Sequence, residues 1–260
     1  LPVETKRILL KEFLQAYVLD FLYNHPIYRS LNFYGGTCLH IVYDLNRLSE
    51  DLDLDNGAQI DLSALESDLL DVFQHTFGYQ DLTIKPQRSA QGILRLLLKF
   101  PILHPLGLSP HANQALHLKV EISHHNQVAK VINTPVFFHG RSFVPAHFSL
   151  ETMMAGKMIA CIERNFQQGS ADVFIKGRDF YDLLWFMQQN IQPLEEKLAL
   201  DGQISYTTKT AMLTLREKIH QLKTSDLAAD LLPMFESRVF IEAWLESFHQ
   251  NFDRYYARYI

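Results

Sequence analysis

Five residues, Asp51 to Asp55 in the order D-L-D-L-D, constrain this chain more than any others. On a strand, side chains at i, i+2 and i+4 share a face, so Asp51, Asp53 and Asp55 point one way and Leu52 and Leu54 the other. The apolar face requires a core to cover it. The acidic face requires positive charge, because two carboxylates about 4 Å apart repel by roughly 4 kcal/mol at an effective dielectric of about 20. Hard oxygen ligands on a rigid strand suit Mg²⁺ or Mn²⁺, which take a few carboxylates and complete their shells with water and substrate phosphates.

Ahead of the acidic run, Leu31 to Tyr34 reads as a short strand that stops at Gly35 and Gly36. Two glycines let the backbone approach a ligand with no Cβ in the way. Thr37 stands where a helix would begin, with Leu39, Ile41 and Val42 as its apolar side. A helix N-terminus presents free N–H groups to an anion, so the turn is suited to phosphate. Arg47 and Ser49 lie between the two features. Ser49 can donate to a phosphate oxygen. Arg47 can clamp phosphate, neutralise the carboxylates, or pair structurally with Asp51 or Asp55. A phosphate-seeking turn close to a metal-seeking strand is the combination that phosphoryl or nucleotidyl transfer requires.

The rest of the chain supplies the scaffold. Its 260 residues suffice for one large or two modest domains, and 47% hydrophobic with 20% charged residues is a globular balance. Thr5 to His25 reads as an amphipathic helix, with Ile8, Leu9, Phe13, Tyr17, Leu19, Phe21 and Leu22 on its apolar side. Asp61 to Phe77 reads as another, N-capped by Asp61 or Ser63. From Tyr79 to Phe138 the pattern is that of strands, at 82–84, 92–100, 115–123 and 128–138. In the third, Leu116, Leu118, Val120 and Ile122 take one face, and His117, Lys119, Glu121 and Ser123 the other, making Glu121 a candidate third carboxylate. Beyond Pro145 the pattern is helical, at Leu150 to Asn165 with a methionine stripe, Gly177 to Asn190, Thr207 to Leu222 and Ser237 to Ile260. The aromatic stripe of the last helix reads as core. The boundary falls near Gly140 and Pro145, giving an α/β half over 1–145 and a helical half over 146–260.

Several classes are set aside. A net charge of −5 argues against an indiscriminate nucleic-acid binder, while leaving room for a local basic groove. No apolar run approaches the roughly 18 residues that cross a bilayer, and the first residues lack a signal-peptide core. Cys38 and Cys161 are far apart and without metal-ligand spacing, which points to a reduced cytoplasmic setting. Counted from Asp51 as an EF-hand loop, the sixth residue is Asn56 instead of Gly and the twelfth is Leu62 instead of Glu. Histidines 104, 111, 117, 124 and 125 follow no zinc-ligand spacing.

GGT at 35–37, followed by R-L-S-E-D-L-D at 47–53, resembles the signature of the AbiEii/AbiGii toxin family of nucleotidyltransferases, within the DNA polymerase β-like superfamily. The resemblance extends to AGKMIACIER and KGRDFYDLL, which place Lys157, Arg178, Asp179 and Asp182 on the family's later positions. It implies an α+β fold, a mixed polymerase β-like sheet flanked by helices and followed by a helical C-terminal domain. It implies that Gly35, Gly36, Thr37, Arg47 and Ser49 hold an NTP and that Asp51, Asp53 and Glu121 hold its Mg²⁺ or Mn²⁺. Lys157 would bind the triphosphate and Asp179 would position or deprotonate the acceptor hydroxyl, the two closing over the nucleotide from the helical half. Asp182 would pair structurally with an arginine as readily as serve the site. The implied reaction is in-line transfer of an NMP to a hydroxyl of RNA, tRNA being one candidate, by the toxin of a toxin–antitoxin or phage-defence pair with a cognate antitoxin. Transfer to a protein or a small molecule such as an aminoglycoside, or a catalytically idle nucleotide binder, are the alternatives.

Overall fold

Apolar residues at helical spacing, interrupted only by long polar side chains, carry the first helix, α1 (Val3–Asn24), until His25 and Pro26 end it. The structure is a computed structural model that describes residues 1–89, 92–124, 127–164, 167–168, 172–173 and 175–260. His125, and Asn165 at the end of an expected helix, lie outside the described residues. The chain divides into two compact units, Leu1–Asn126 with Val131–His147, and Gln127–Lys130 with Phe148–Ile260.

In the first unit, α1 is followed by β1 (Asn32–Tyr34), α2 (Gly35–Tyr43), β2 (Leu52–Asp55) and α3 (Leu65–Asp71), then by β3 (Thr83–Arg88), β4 (Leu94–Phe100) and β5 (Leu116–Ser123). Four short strands close the unit: β6 (Val131–Asn133), β7 (Val136–Phe138), β8 (Arg141–Phe143) and β9 (Ala146–Phe148). Seven of the strands form one mixed sheet in the order β3-β4-β5-β2-β1-β9-β6, and β7 pairs with β8 as a separate hairpin. The two strands that matter most here, β2 and β5, run parallel, with Asp53 opposite Glu121. Their apolar side, Leu52, Leu54, Leu118, Val120 and Ile122, is buried, and α1 packs against β5.

Three features differ from the sequence reading. The strand expected over 128–138 is broken into β6 and β7, because Pro135 has no N–H to donate to a ladder. A strand follows Pro145 after all, since β9 pairs in parallel with β1. The helix expected from Asp61 begins only at Leu65, because the Asp61 carboxylate accepts from the Ser63 amide and hydroxyl and makes a local turn instead of a helix cap. On α1 the buried side is Ile8, Glu12, Gln15, Leu19 and Leu22, while Phe13 is exposed and packs at a tilt against Tyr17.

The second unit is helical, with α4 (Leu150–Glu163), α5 (Gly177–Gln188), α6 (Glu195–Leu200), α7 (Thr208–Gln221), α8 (Thr224–Leu231) and α9 (Arg238–Tyr256). Ser149 caps α4, its side chain accepting from the Thr152 amide. The methionines of α4 and the aromatic stripe of α9 are core, with Met154, Met158, Phe248 and Phe252 buried and Phe180 of α5 edge-on to Phe248. Among the described residues no helix is long and apolar enough to cross a membrane.

Candidate active site

The first turn of α2 is built by the two glycines. Gly35 is the first helical residue, at φ +79°, a left-handed conformation that only glycine adopts without strain. A side chain there would also collide with Asp53, because a Cβ on Gly35 would fall on Asp53 Oδ2. A Cβ on Gly36 would come 2.5 Å from an Arg47 guanidinium nitrogen and 3.1 Å from Ser49 Oγ. The glycines therefore admit the Asp53, Arg47 and Ser49 side chains up to the helix backbone.

Thr37, Arg47 and Ser49 are buried and serve the frame of this turn. Thr37 Oγ1 lies 2.8 Å from Ser49 Oγ and also bonds the Asp51 carbonyl, which fastens α2 to the segment leading into β2. Arg47 donates to the Leu48 carbonyl and lies against Gly36. Gln15 of α1 donates to the Ser49 carbonyl, a brace that no motif in the sequence announces.

The carboxylates come from neighbouring strands. Register places Arg95, Glu121, Asp53 and Tyr34 in one row across β4, β5, β2 and β1, with their side chains on the polar face of the sheet. Asp51 precedes β2 on the same side. Asp55 is buried and accepts from Ser123 Oγ at 3.2 Å. Two cations stand among the acids. Arg95 donates through Nε (2.9 Å) and Nη2 (2.7 Å) to Glu121 Oε2, and Lys119 Nζ lies 2.8 Å from Asp51 Oδ2 and 3.7 Å from Glu121 Oε2. Burial pulls the Lys119 ammonium down, but Asp51, Glu121 and Asp53 outweigh it and hold its pKa above that of an ordinary lysine. Tyr34 feels the same field in the same direction: burial, then Asp53, push its phenol up to about 12. Lys119 and Arg95 are the residues that sequence reasoning passed over. The signal was the alternation that selected Glu121, which puts Lys119 two positions earlier on the same face.

Within the helical unit, Lys157 of α4 is gripped by two carboxylates of α5, Asp179 Oδ1 at 2.7 Å and Asp182 Oδ2 at 2.9 Å. Asp182 thus meets the lysine, where the sequence left an arginine open. Arg164 takes the other Asp179 oxygen at 2.9 Å. Burial would raise the Asp179 carboxyl, yet Lys157 and Arg164 hold it well below the usual carboxylate range. Asp179 also lines a cavity of about 390 Å³ with Cys161, Lys176 and Lys218. Arg178 is occupied with Asp230, through its amide and its guanidinium.

This arrangement, a glycine-opened helix N-terminus against in-register strand carboxylates, is the setting for the comparison with known proteins. The family model for the nucleotidyl transferase AbiEii toxin of type IV TA systems matches residues 20–258. The chain belongs to that family. It is accordingly a nucleotidyltransferase of the AbiEii type. Solved structures are similar as well: the crystal structure of an H. pylori protein assigned as a nucleotidyltransferase is 19% identical, with a TM-score of 0.51, over 97% of this chain and 92% of that one. At that identity the likeness concerns the fold, which is α+β with a mixed sheet. No curated protein matches the chain in sequence.

Nucleotidyltransferases of this kind generally use divalent metal ions. Asp51 and Asp53 are of the donor type such an ion takes, although Asp51 already holds Lys119 Nζ at 2.8 Å. Both are hard oxygen donors, and the missing Cβ of Gly35 leaves the room that the Asp53 carboxylate fills beside the helix N-terminus. Glu121 stands next to Asp53, but its Oε2 is turned to Arg95. Among the described residues no three His, Cys, Asp or Glu side chains are gathered into a metal-holding group. Of the acids expected to act together, Asp53 and Glu121 are thus neighbours in register and Asp51 precedes β2, and the three form no metal-holding group.

Proposed function

We propose that this AbiEii-family enzyme transfers an NMP from an NTP to an acceptor hydroxyl of RNA, with tRNA as a candidate, in a reaction dependent on Mg²⁺ or Mn²⁺. The family places it in a type IV toxin–antitoxin system, which implies a cognate antitoxin as partner. The observation that carries the reading is the closeness of Asp53 to Gly35, flanked by Glu121 in register, because it puts metal-type ligands beside phosphate-type donors.

In this reading the α2 N-terminus, at Gly35 and Gly36, offers backbone N–H groups to the nucleotide phosphates. Asp51 and Asp53 are the metal ligands, with Glu121 as their neighbour on β5. The ion, when bound, neutralises charge developing on the phosphoryl and leaving-group oxygens. Thr37, Arg47 and Ser49 act mainly by holding the turn against β2, as their burial, the Thr37–Ser49 hydrogen bond and the Arg47 bond to the Leu48 carbonyl favour. Lys157 binds nucleotide phosphate, a role that rests on the family pattern.

Asp179 is better read as the residue that orients Lys157 than as a general base. A carboxylate held far below its ordinary pKa by two cations has little affinity for a hydroxyl proton. Replacement of Asp179 by Asn separates the two roles: a positioning residue affects NTP affinity most, whereas a base affects the pH profile of turnover.

Incubation with each α-labelled NTP, Mg²⁺, total RNA and total protein tests the function. Label in the RNA fraction is the expected result. Label confined to protein or to small molecules would replace RNA as the acceptor, and nucleotide bound without label transfer would make the chain an idle binder.

A further inference from the structure

The carboxylate face of the sheet already holds cations of its own, and the two differ in kind. Arg95 forks two N–H groups onto a single oxygen of Glu121, a planar arrangement that commits it there. Lys119 makes one close contact, with Asp51, and a long one, with Glu121. It is a point charge on a flexible stem, able to swing away by rotation without breaking a fork. Asp51, Asp53 and Glu121 bring three negative charges, and Lys119 and Arg95 return two positive ones.

We propose that Lys119 is the resident counter-cation of this cluster, held at Asp51 until a metal-bound polyphosphate arrives and then passed to the phosphates. The proposal rests on the metal-site reading above. A free divalent ion at Asp51 has to expel an ammonium that sits 2.8 Å from the oxygen it needs, and the expelled ammonium loses its main partner. A metal that comes with its polyphosphate brings replacement oxygens for Lys119. The same residue thus opposes the bare ion and favours the complex, coupling metal to nucleotide through one side chain.

The test uses the full chain and two probes, Mn²⁺ alone and the Mn²⁺–tripolyphosphate complex, with binding measured by calorimetry and by the EPR signal of the ion. Lys119→Met is expected to bind Mn²⁺ alone about tenfold more tightly than the wild type and Mn²⁺–tripolyphosphate more weakly, a pair of opposite shifts that mere loss of structure does not give. Lys119→Gln, with a polar tip but no charge, is expected to follow the Met variant, and Lys119→Arg to stay near the wild type in Mn²⁺ alone. Asp53→Asn identifies the site. Should Asp53→Asn abolish Mn²⁺ binding while the Lys119 variants match the wild type, or shift both probes in the same direction, the counter-cation role is wrong and the carboxylate site stands. Should Mn²⁺ binding be absent or indifferent to Asp53, the site itself is wrong and the role of Lys119 falls with it.

Discussion

At the scale of single residues, Gly35 and Asp179 show how strain and charge are placed. Gly35→Ala meets two penalties at once, a positive φ and a Cβ on the Asp53 carboxylate. It is expected to cost more than about 1 kcal/mol of stability by urea denaturation and to weaken NTP binding, since Asp53 must move. Asp179→Asn removes a buried partner of Lys157 and Arg164, with an expected loss of about 3 kcal/mol at pH 7. The pH dependence follows from the lowered pKa: the stabilisation by Asp179 is present above the unfolded aspartate value, about 3.9, and is lost as pH falls toward the folded value. Denaturation curves of wild type and variant should therefore draw together below pH 4. The alternation of Asp51, Asp53 and Glu121 with leucine, valine and isoleucine was legible because a period of two leaves one choice of face. The partners of Asp179 were not, since nothing local in AGKMIACIER and KGRDFYDLL says which cation turns toward which acid.

Between elements, Glu12 of α1 ties two other pieces to the helix, accepting from His40 of α2 at 3.0 Å and from His139 of the β7–β8 turn at 2.9 Å. Burial would lower the His40 pKa, but the Glu12 carboxylate and the Leu45 carbonyl raise it above the ordinary histidine value. A raised pKa means stabilisation that is complete below the unfolded value of about 6.5 and lost as pH rises through the folded one. Glu12→Gln is expected to cost about 2 kcal/mol at pH 6 and less at pH 9, measured by denaturation at each pH. Helices were easier to read than short strands. The apolar stripes of α4, α5 and α9 persist over three or more turns, whereas β6, β8 and β9 have three residues each, too few for a period to show. What makes β9 a strand is its partner β1, more than a hundred residues earlier.

For the molecule as a whole, the α+β class, the mixed sheet and the helical second unit were readable because helical and strand patterns alternate over the first half and helical ones take over beyond the strand-rich stretch. Of the internal cations of the acidic face, Arg95 was not, because it reaches Glu121 only through the pairing of β4 with β5. The proposed transfer depends on the pairing of the α2 start with the β2 carboxylates. Label transfer from an α-labelled NTP to RNA, compared between wild type and Asp53→Asn, tests it most directly, with thermal denaturation confirming that both are folded. A fall of about a hundredfold or more in labelled RNA at unchanged stability is the predicted result. Undiminished transfer by Asp53→Asn would contradict the account.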